Sequence, residues 1–375
     1  MANNNAGGAG SVTRVDAVTH AVAATVPVGN GPVGIALTAN GARAWVANGA
    51  DGTLSEISTA TNHAIGPVIS TGAASSPYDV AVAPDGHTVW VTNPPAGTVL
   101  EVNTARGAIE GAPIPVGTNP KGIAISPDGR TVWVAVSGAN NVVGINTATR
   151  RITATIAVGV HPTRLAVSPN GEDVWVSNNA DGTASQIDTR TRAVVALVSL
   201  PNGRVSYPNG VAISPVAFTA DGPAVWVVND GPGTISEIDP VTGSLVGTPI
   251  SVGGNGDHPI AVAVSPDGNT LWVTNLSTGT VAMIAVPNVP LPPEHVRVIH
   301  HHGNAVVRWR PPTNTGGSGI VGYAVTAGPG GPRCDTVSAT SCVLHGIGRR
   351  SETVITVTAT NADGTSLPAF VRERG

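Results

Sequence analysis

Six times between residues 43 and 275 the chain writes nearly the same strand: "RAWVAN" at 43–48, "TVWVTN" at 88–93, "TVWVAV" at 131–136, "DVWVSN" at 173–178, "AVWVVN" at 224–229 and "TLWVTN" at 270–275. These strands hold six of the seven tryptophans, spaced 45, 43, 42, 51 and 46 residues apart. A strand-rich period of this length marks a ring of blades, because one such unit cannot bury both of its faces and a closed set can. Each unit opens with proline and a short apolar strand, as in "PKGIAI" at 120, followed by an Asn-Gly or Asp-Gly turn such as Asn40-Gly41, Asp128-Gly129, Asp221-Gly222 or Asp267-Gly268. Those residues accept positive φ and reverse the chain tightly. The Trp strand comes second, a Gly-Thr strand such as "GTISEI" (233–238) third, and a fourth strand such as "ITATIAVG" (152–159) closes the unit. The Trp recurs because the wedge between neighbouring blades recurs.

The expected fold is therefore all-β: a β-propeller of four-stranded blades followed by a small β-sandwich. Residues 11–29 read as the last two strands of a unit and 258–286 as three strands. Joining the N-terminal strands to the last unit favours six blades; seven leave one blade incomplete. The domain boundaries follow: 1–10 a flexible tail, 11–286 the propeller, 287–295 ("PNVPLPPEH") a stiff Pro-rich linker, and 296–375 the sandwich. There "AVVRWRPP", "IVGYAVTA" and "ETVITVTATNADGTS" resemble a fibronectin type III domain, with Trp309 and Tyr323 in its core and 361–364 as its late hairpin.

Glycine (47) and proline (31) punctuate Val, Ile and Thr runs, as in an all-β chain rather than a disordered one. A net charge of −4 supplies no field for nucleic acid. No apolar run approaches the ~18 residues of a membrane helix. The start, "MANNNAGGAG", is not a secretory leader. Cys334 and Cys342, the two cysteines, read as a disulfide across a hairpin, worth roughly 2–3 kcal/mol, and imply an oxidising, extracytoplasmic setting. Two thiols fall short of a zinc ligand set. His300-His301-His302 reads as an exposed run in a turn, and "GNGPVG" (29–34) precedes a strand, where a dinucleotide fingerprint opens a helix. No cofactor, metal or catalytic residue is assigned.

The pattern "SPDGxTVWVTN" with "GTVxxINTATxxxxxTIxVG" resembles the YVTN family of β-propeller repeats, Trp standing where that family often has Tyr. The resemblance implies a propeller acting as a binding or surface protein, and Val136 departs from its terminal Asn. A second resemblance, to the virginiamycin B lyases, implies Glu and His with a metal at the channel mouth. Here the strand-end position carries Asn48, Asn93, Asn178, Asn229 and Asn275, and an amide is no general base.

Variety concentrates beside the opening prolines. Gly31, Ser76, Asn119, His161, Tyr207 and His258 precede them; Val33, Tyr78, Lys121, Thr163, Asn209 and Ile260 follow; next come Gly34, Asp79, Gly122, Arg164, Gly210 and Ala261. Loops into the innermost strands edge one mouth of the channel, and convergent polar groups at a concavity are the default ligand site. Solvated loop variation is the competing explanation. The candidates are Tyr78, Asp79, Lys121, His161, Arg164, Tyr207 and His258, with Asp79 and Arg164 from alternate units placed to face one another. Substituting Lys121 or Arg164 is expected to weaken binding with little change in stability. The expected partner is a small molecule, glycan or protein at this mouth, and the expected state a monomer. A propeller enzyme, a lyase or polysaccharide-associated hydrolase, is the alternative.

Overall fold

The structure is a computed structural model and describes residues 1–4, 9–219, 222–254, 256–266, 268–286, 290, 292–301, 303–312, 315, 318–328, 331–347, 353–366 and 368–372. Among these there is no α-helix; three 3-10 turns, Pro94–Ala96, Ser137–Ala139 and Gly203–Ser206, interrupt the strands.

Every Trp strand lies second in an antiparallel sheet, between an inner strand that begins at or near the unit's proline and the unit's third strand. Sheet II runs Pro32–Leu37, Arg43–Asn48, Thr53–Ser58, His63–Ser70. Sheet III has inner strand Val80–Val82, then Thr88–Asn93 and Thr98–Asn103, with its outer strand split into Ala108–Ile109 and Ile114–Pro115. Sheets IV and V repeat the four-stranded plan from inner strands Pro120–Ile125 and Pro162–Val167, and sheet VI from Pro208–Thr219. Sheet VII has three strands, Pro259–Val264, Thr270–Asn275 and Thr280–Ala285. From sheet II to sheet VII each inner strand packs on the next.

The N-terminus departs from expectation. Ser11–Val15 and Val22–Pro27 do not complete sheet VII. They pair with each other and with Ala2–Asn3 as a separate sheet I, so the described residues of 2–285 form seven sheets, where the six-bladed reading required six. Residues 2–3 thus belong to a strand rather than a flexible tail. The cause is apolar: Val12 and Val26 pack on Ala44, Val46 and Ile57 of sheet II, which commits sheet I to that neighbour. Sheet I meets sheet VII at a seam, where His20 lies edge-on to Trp272 at 6.1 Å.

Five of the six repeated tryptophans are 0–3% exposed, each packed into the next sheet: Trp45 on Val80, Val89 and Val91, Trp175 on Val225, Val227 and Ile238. Trp272, at the seam, is only half-buried. The turns divide labour between their two residues. The glycine takes positive φ, 66° at Gly41 and 71° at Gly129. The preceding side chain ties the turn, Asn40 Oδ1 accepting from Ala42 N at 3.0 Å and Asp128 Oδ1 from Arg130 N at 3.0 Å. Asp221 and Asp267 lie outside the described residues.

Beyond residue 293 a three-stranded sheet (Glu294–His301, Asn304–Arg310, Ser341–Leu344) and a four-stranded one (Arg333–Thr336, Gly322–Ala327, Val354–Thr360, Ala369–Arg372) share one core containing Trp309 and Tyr323, whose rings lie 5.4 Å apart. Cys334 and Cys342 are bonded. They sit on strands of different sheets, so the disulfide ties the two sheets rather than one hairpin. His300 and His301 end a strand instead of lying in a turn; His302 lies outside the described residues.

Candidate functional site

Each inner strand starts with an irregularity. Between Pro120 and Ile123, and between Pro162 and Leu165, two residues oppose one on the Trp strand. In sheet III, Tyr78 N donates to Thr92 O and Thr92 N to Asp79 O, again two against one. A bulge re-aims side chains, and the variable pairs Tyr78-Asp79, Lys121-Gly122 and Thr163-Arg164 occupy it.

The bulges bring four of the seven candidates together. Arg164 Nη1 lies 2.6 Å from Asp79 Oδ2, the two side chains 21% and 14% exposed. Asp79 also accepts Ile123 N at 3.3 Å. Lys121 Nζ lies 4.3 Å and Arg164 Cζ 4.9 Å from the centre of the Tyr78 ring. Burial is the strongest single influence on the Arg164 guanidinium and acts to lower it, but the charge and hydrogen bond of Asp79 together with Tyr78 hold the group above its ordinary value. Gly122 stands between the partners' sheets. A Cβ there would sit 2.8 Å from Arg164 Cα and from Thr163 O, so glycine gives sheet V its close approach. Gly34 relates to Asp79 and Gly210 to Ala261 in the same way. The expected pairing across alternate units is thus observed. The expectation that Arg164 is a rim group free of structural duty is not, because its head is enclosed with Asp79.

His161, Tyr207 and His258 stay apart from this cluster. With Gly31 and Asn119 they hold the pre-proline position at φ between 43° and 63°. That conformation costs a non-glycine residue about 1–2 kcal/mol, and such strain gathers at functional sites. His161 is exposed and Tyr207 47% exposed. His258 has a carboxylate partner, Asp230 at 2.7 Å, contributed by sheet VI; Asn209 Nδ2 donates to the same carboxylate at 3.2 Å. Adjacent Asp257 is turned to Gly254 N instead.

Three roles escape sequence reading. Thr92 Oγ1 accepts from Asp79 N at 3.1 Å and donates to Lys121 O at 2.7 Å, pinning one bulge to the next. Ser177 Oγ does the same between Arg164 N and Asn209 O, at 3.2 and 2.6 Å. Their signal is the alternation of "VTN" and "VSN" with "VAN" and "VVN". The third is Glu237, opposite Trp226, with no hydrogen bond or ion pair among the described residues. Burial first, then Asp239, raises it to about 7. The strand-end asparagines are structural: Asn48, Asn178 and Asn229 are buried and donate to Ser55, Ser185 and Ser236. Among the described residues no group of three His, Cys, Asp or Glu side chains is placed to hold a metal, and no helix is long and apolar enough to cross a membrane.

No protein-family model and no curated protein matches the chain. Among solved structures the chain is similar to virginiamycin B lyase from Staphylococcus aureus, 17% identical with a TM-score of 0.52 over 74% of this chain and 91% of that one. It is also similar to Kuenenia stuttgartiensis hydrazine synthase, 19% identical with a TM-score of 0.48 over 68% of this chain and 96% of that one. The likeness is one of fold: residues 2–285 are a β-propeller built of repeated, mostly four-stranded sheets.

Proposed function

We propose that the protein is a non-catalytic binding module of the YVTN type, with seven blades closed at the seam of sheets I and VII and the channel mouth as its ligand platform. The carrying observation is convergence across three consecutive sheets: Lys121 and Arg164 meet on the Tyr78 ring, and Asp79 pairs with Arg164 beside it. A wall that repeats elsewhere is individual here. The three-plus-four strand arrangement after residue 293 supports reading that part as a fibronectin type III spacer, and the bonded cysteines support an extracytoplasmic location.

The test is a screen of small molecules, glycans and peptides, followed by Lys121→Ala. A hydrogen bond to a charged ligand group is worth roughly 1.5–3 kcal/mol, so affinity should fall about ten-fold or more. An unchanged affinity places the site elsewhere. The Asp230–His258 pair favours a second reading, an enzyme, since a carboxylate orients an imidazole for proton transfer. Mass analysis of each bound ligand after prolonged incubation separates the two. Ligand recovered intact supports binding alone; conversion that disappears in His258→Gln supports the enzyme.

A further inference from the structure

Sheet I is half a unit. Val12 stands opposite Val26 as Leu54 stands opposite Ile69, so Ser11–Val15 and Val22–Pro27 are a third and a fourth strand. Ala2 and Asn3 pair with Val12 and Ser11 as Ala47 and Asn48 pair with Leu54 and Thr53. The amide contacts repeat as well. Asn3 Nδ2 donates to the Ser11 and Thr13 hydroxyls at 3.0 and 2.7 Å, as Asn48 Nδ2 donates to Thr53 and Ser55 at 3.1 and 2.9 Å. Ala2–Asn3 is therefore the end of a Trp strand. Among the described residues sheet I has neither the inner strand nor the rest of that Trp strand, and no strand pairs with Arg14 or Val15 on that edge.

Both neighbours are open where those two strands belong. Elsewhere the inner and Trp strands of one sheet receive the tryptophan before them: Val80, Val89 and Val91 receive Trp45, and Leu165, Val174 and Val176 receive Trp133. Toward sheet I, Trp272 and Thr274 are only half-buried, while Leu271 and Val273 on the opposite face are fully buried against sheet VI. Thr92 and Ser177, at the place of Thr274, each donate to a carbonyl of the next inner strand; Thr274 instead lines a cavity of about 420 Å³ with Asn3, Ser11 and Ile260. On the other wall Ile35 is 37% exposed, where its counterparts Val80, Ile123 and Leu165 are 4–8% exposed.

The unit itself says what fits. Its inner and Trp strands form a hairpin such as residues 32–48, 17 in all. Every described strand already belongs to a sheet, and no undescribed stretch exceeds five residues, so these 375 residues hold no spare hairpin. We infer that the seam, a surface separate from the channel mouth, docks a β-hairpin of a partner protein. The hairpin's second strand extends along Ser11–Val15, its tryptophan lies on Ile35, Ala44 and Val46, and its first strand covers Trp272 and Thr274. Added backbone pairing supplies affinity and the apolar wall selects the tryptophan.

The probe is a synthetic peptide copying residues 32–48, its Ala47-Asn48 taking the place of Ala2–Asn3. Calorimetry should show saturable one-to-one binding, about a hundred-fold weaker when the peptide carries Trp45→Ala and undetectable for a scrambled peptide. Hydrogen exchange should slow at Ser11–Val15, and the melting temperature should rise. Thr13 N faces this edge, donating to Met1 O at 2.8 Å. In the protein, Thr13→Pro removes that donor at an edge position where proline is tolerated, so it should abolish binding and melt near the parent. Ile35→Glu, on the wall of sheet II, should weaken binding about ten-fold or more. No binding of the copied hairpin, equal binding of the scrambled peptide, or slowed exchange confined to another strand overturns the inference. A dimer of the protein alone that protects the same amides also overturns it, by assigning the seam to a second copy.

Discussion

The wall between sheets and the mouth at the axis are made from the same unit, yet they obey different rules. In the wall, Trp45, Trp90, Trp133, Trp175 and Trp226 are all within 3% of full burial. Across from three of these tryptophans stands a polar residue that finds a partner. Glu56 pairs with Arg43 at 2.5 Å, Glu101 with Arg150 at 3.4 Å, and Gln186 bonds Asp173 at 3.0 Å. At the mouth, neighbouring sheets place Tyr-Asp, Lys-Gly and Thr-Arg in one bulge. Packing enforces sameness where each side chain meets the next copy of the unit. The bulge releases two residues per unit from that contact, and there the units become individuals.

The largest expected effect breaks the wall. Trp175→Ala should cost about 3–5 kcal/mol, read by chemical denaturation. Trp272→Ala, at the half-buried seam, should cost clearly less. Equal losses would show that the seam is packed like the other gaps. Arg164→Ala tests whether the mouth also carries structure. It strands the Asp79 carboxylate, 14% exposed, and should cost about 3 kcal/mol, the lower end for breaking a buried pair. A negligible loss would return Arg164 to the rim.

Glu237 is the flaw in the wall, a carboxylate without a partner among the described residues. Its folded pKa of about 7 exceeds the ordinary 4.5, so the native state holds the proton more tightly than the unfolded chain. Its contribution is fully present below the unfolded value. It is lost as pH rises from 4.5 through about 7, a decline on the order of 2–3 kcal/mol. Glu237→Gln, the solution sheet V already uses at Gln186, should flatten that decline and stabilise the protein above pH 7. A variant whose stability keeps the parent's pH dependence would assign it to another group. Gly122→Ala places a Cβ 2.8 Å from the Arg164 backbone and should cost about 1–2 kcal/mol. Combined with Arg164→Ala the losses should fall short of additive, because both disturb one contact. Smallest of all, Lys121→Ala should shift stability by no more than about 0.5 kcal/mol while carrying the largest loss of ligand. A thermal melt beside the binding assay checks both halves.

Much of this was legible before any coordinates. Sheet order, the second place of every Trp strand and the glycine turns follow from residues whose backbone and volume demands are local. The grouping of Tyr78, Asp79, Lys121 and Arg164 was legible only as a departure from repetition. Sheet I was not, because Ala2–Asn3 bears neither the proline nor the tryptophan that marks the other units, and its place is decided by Val12 and Val26 packing on sheet II. Asp230 as partner of His258 was missed for a related reason: Asp257 is the sequence neighbour, and only the approach of sheet VI to sheet VII brings Asp230 to 2.7 Å.

By itself the sequence determined the repeating element, its internal order and the positions freed from packing, because each of these is set by the period of one chain segment and the shape of one side chain. The tertiary structure alone decided which sheet the N-terminal strands join, which charges are spent on one another and which one is left over. Those depend on distances between residues 28 to 85 positions apart, such as Asp230 and His258 or Asp79 and Arg164, and such distances exist only once the sheets pack around an axis.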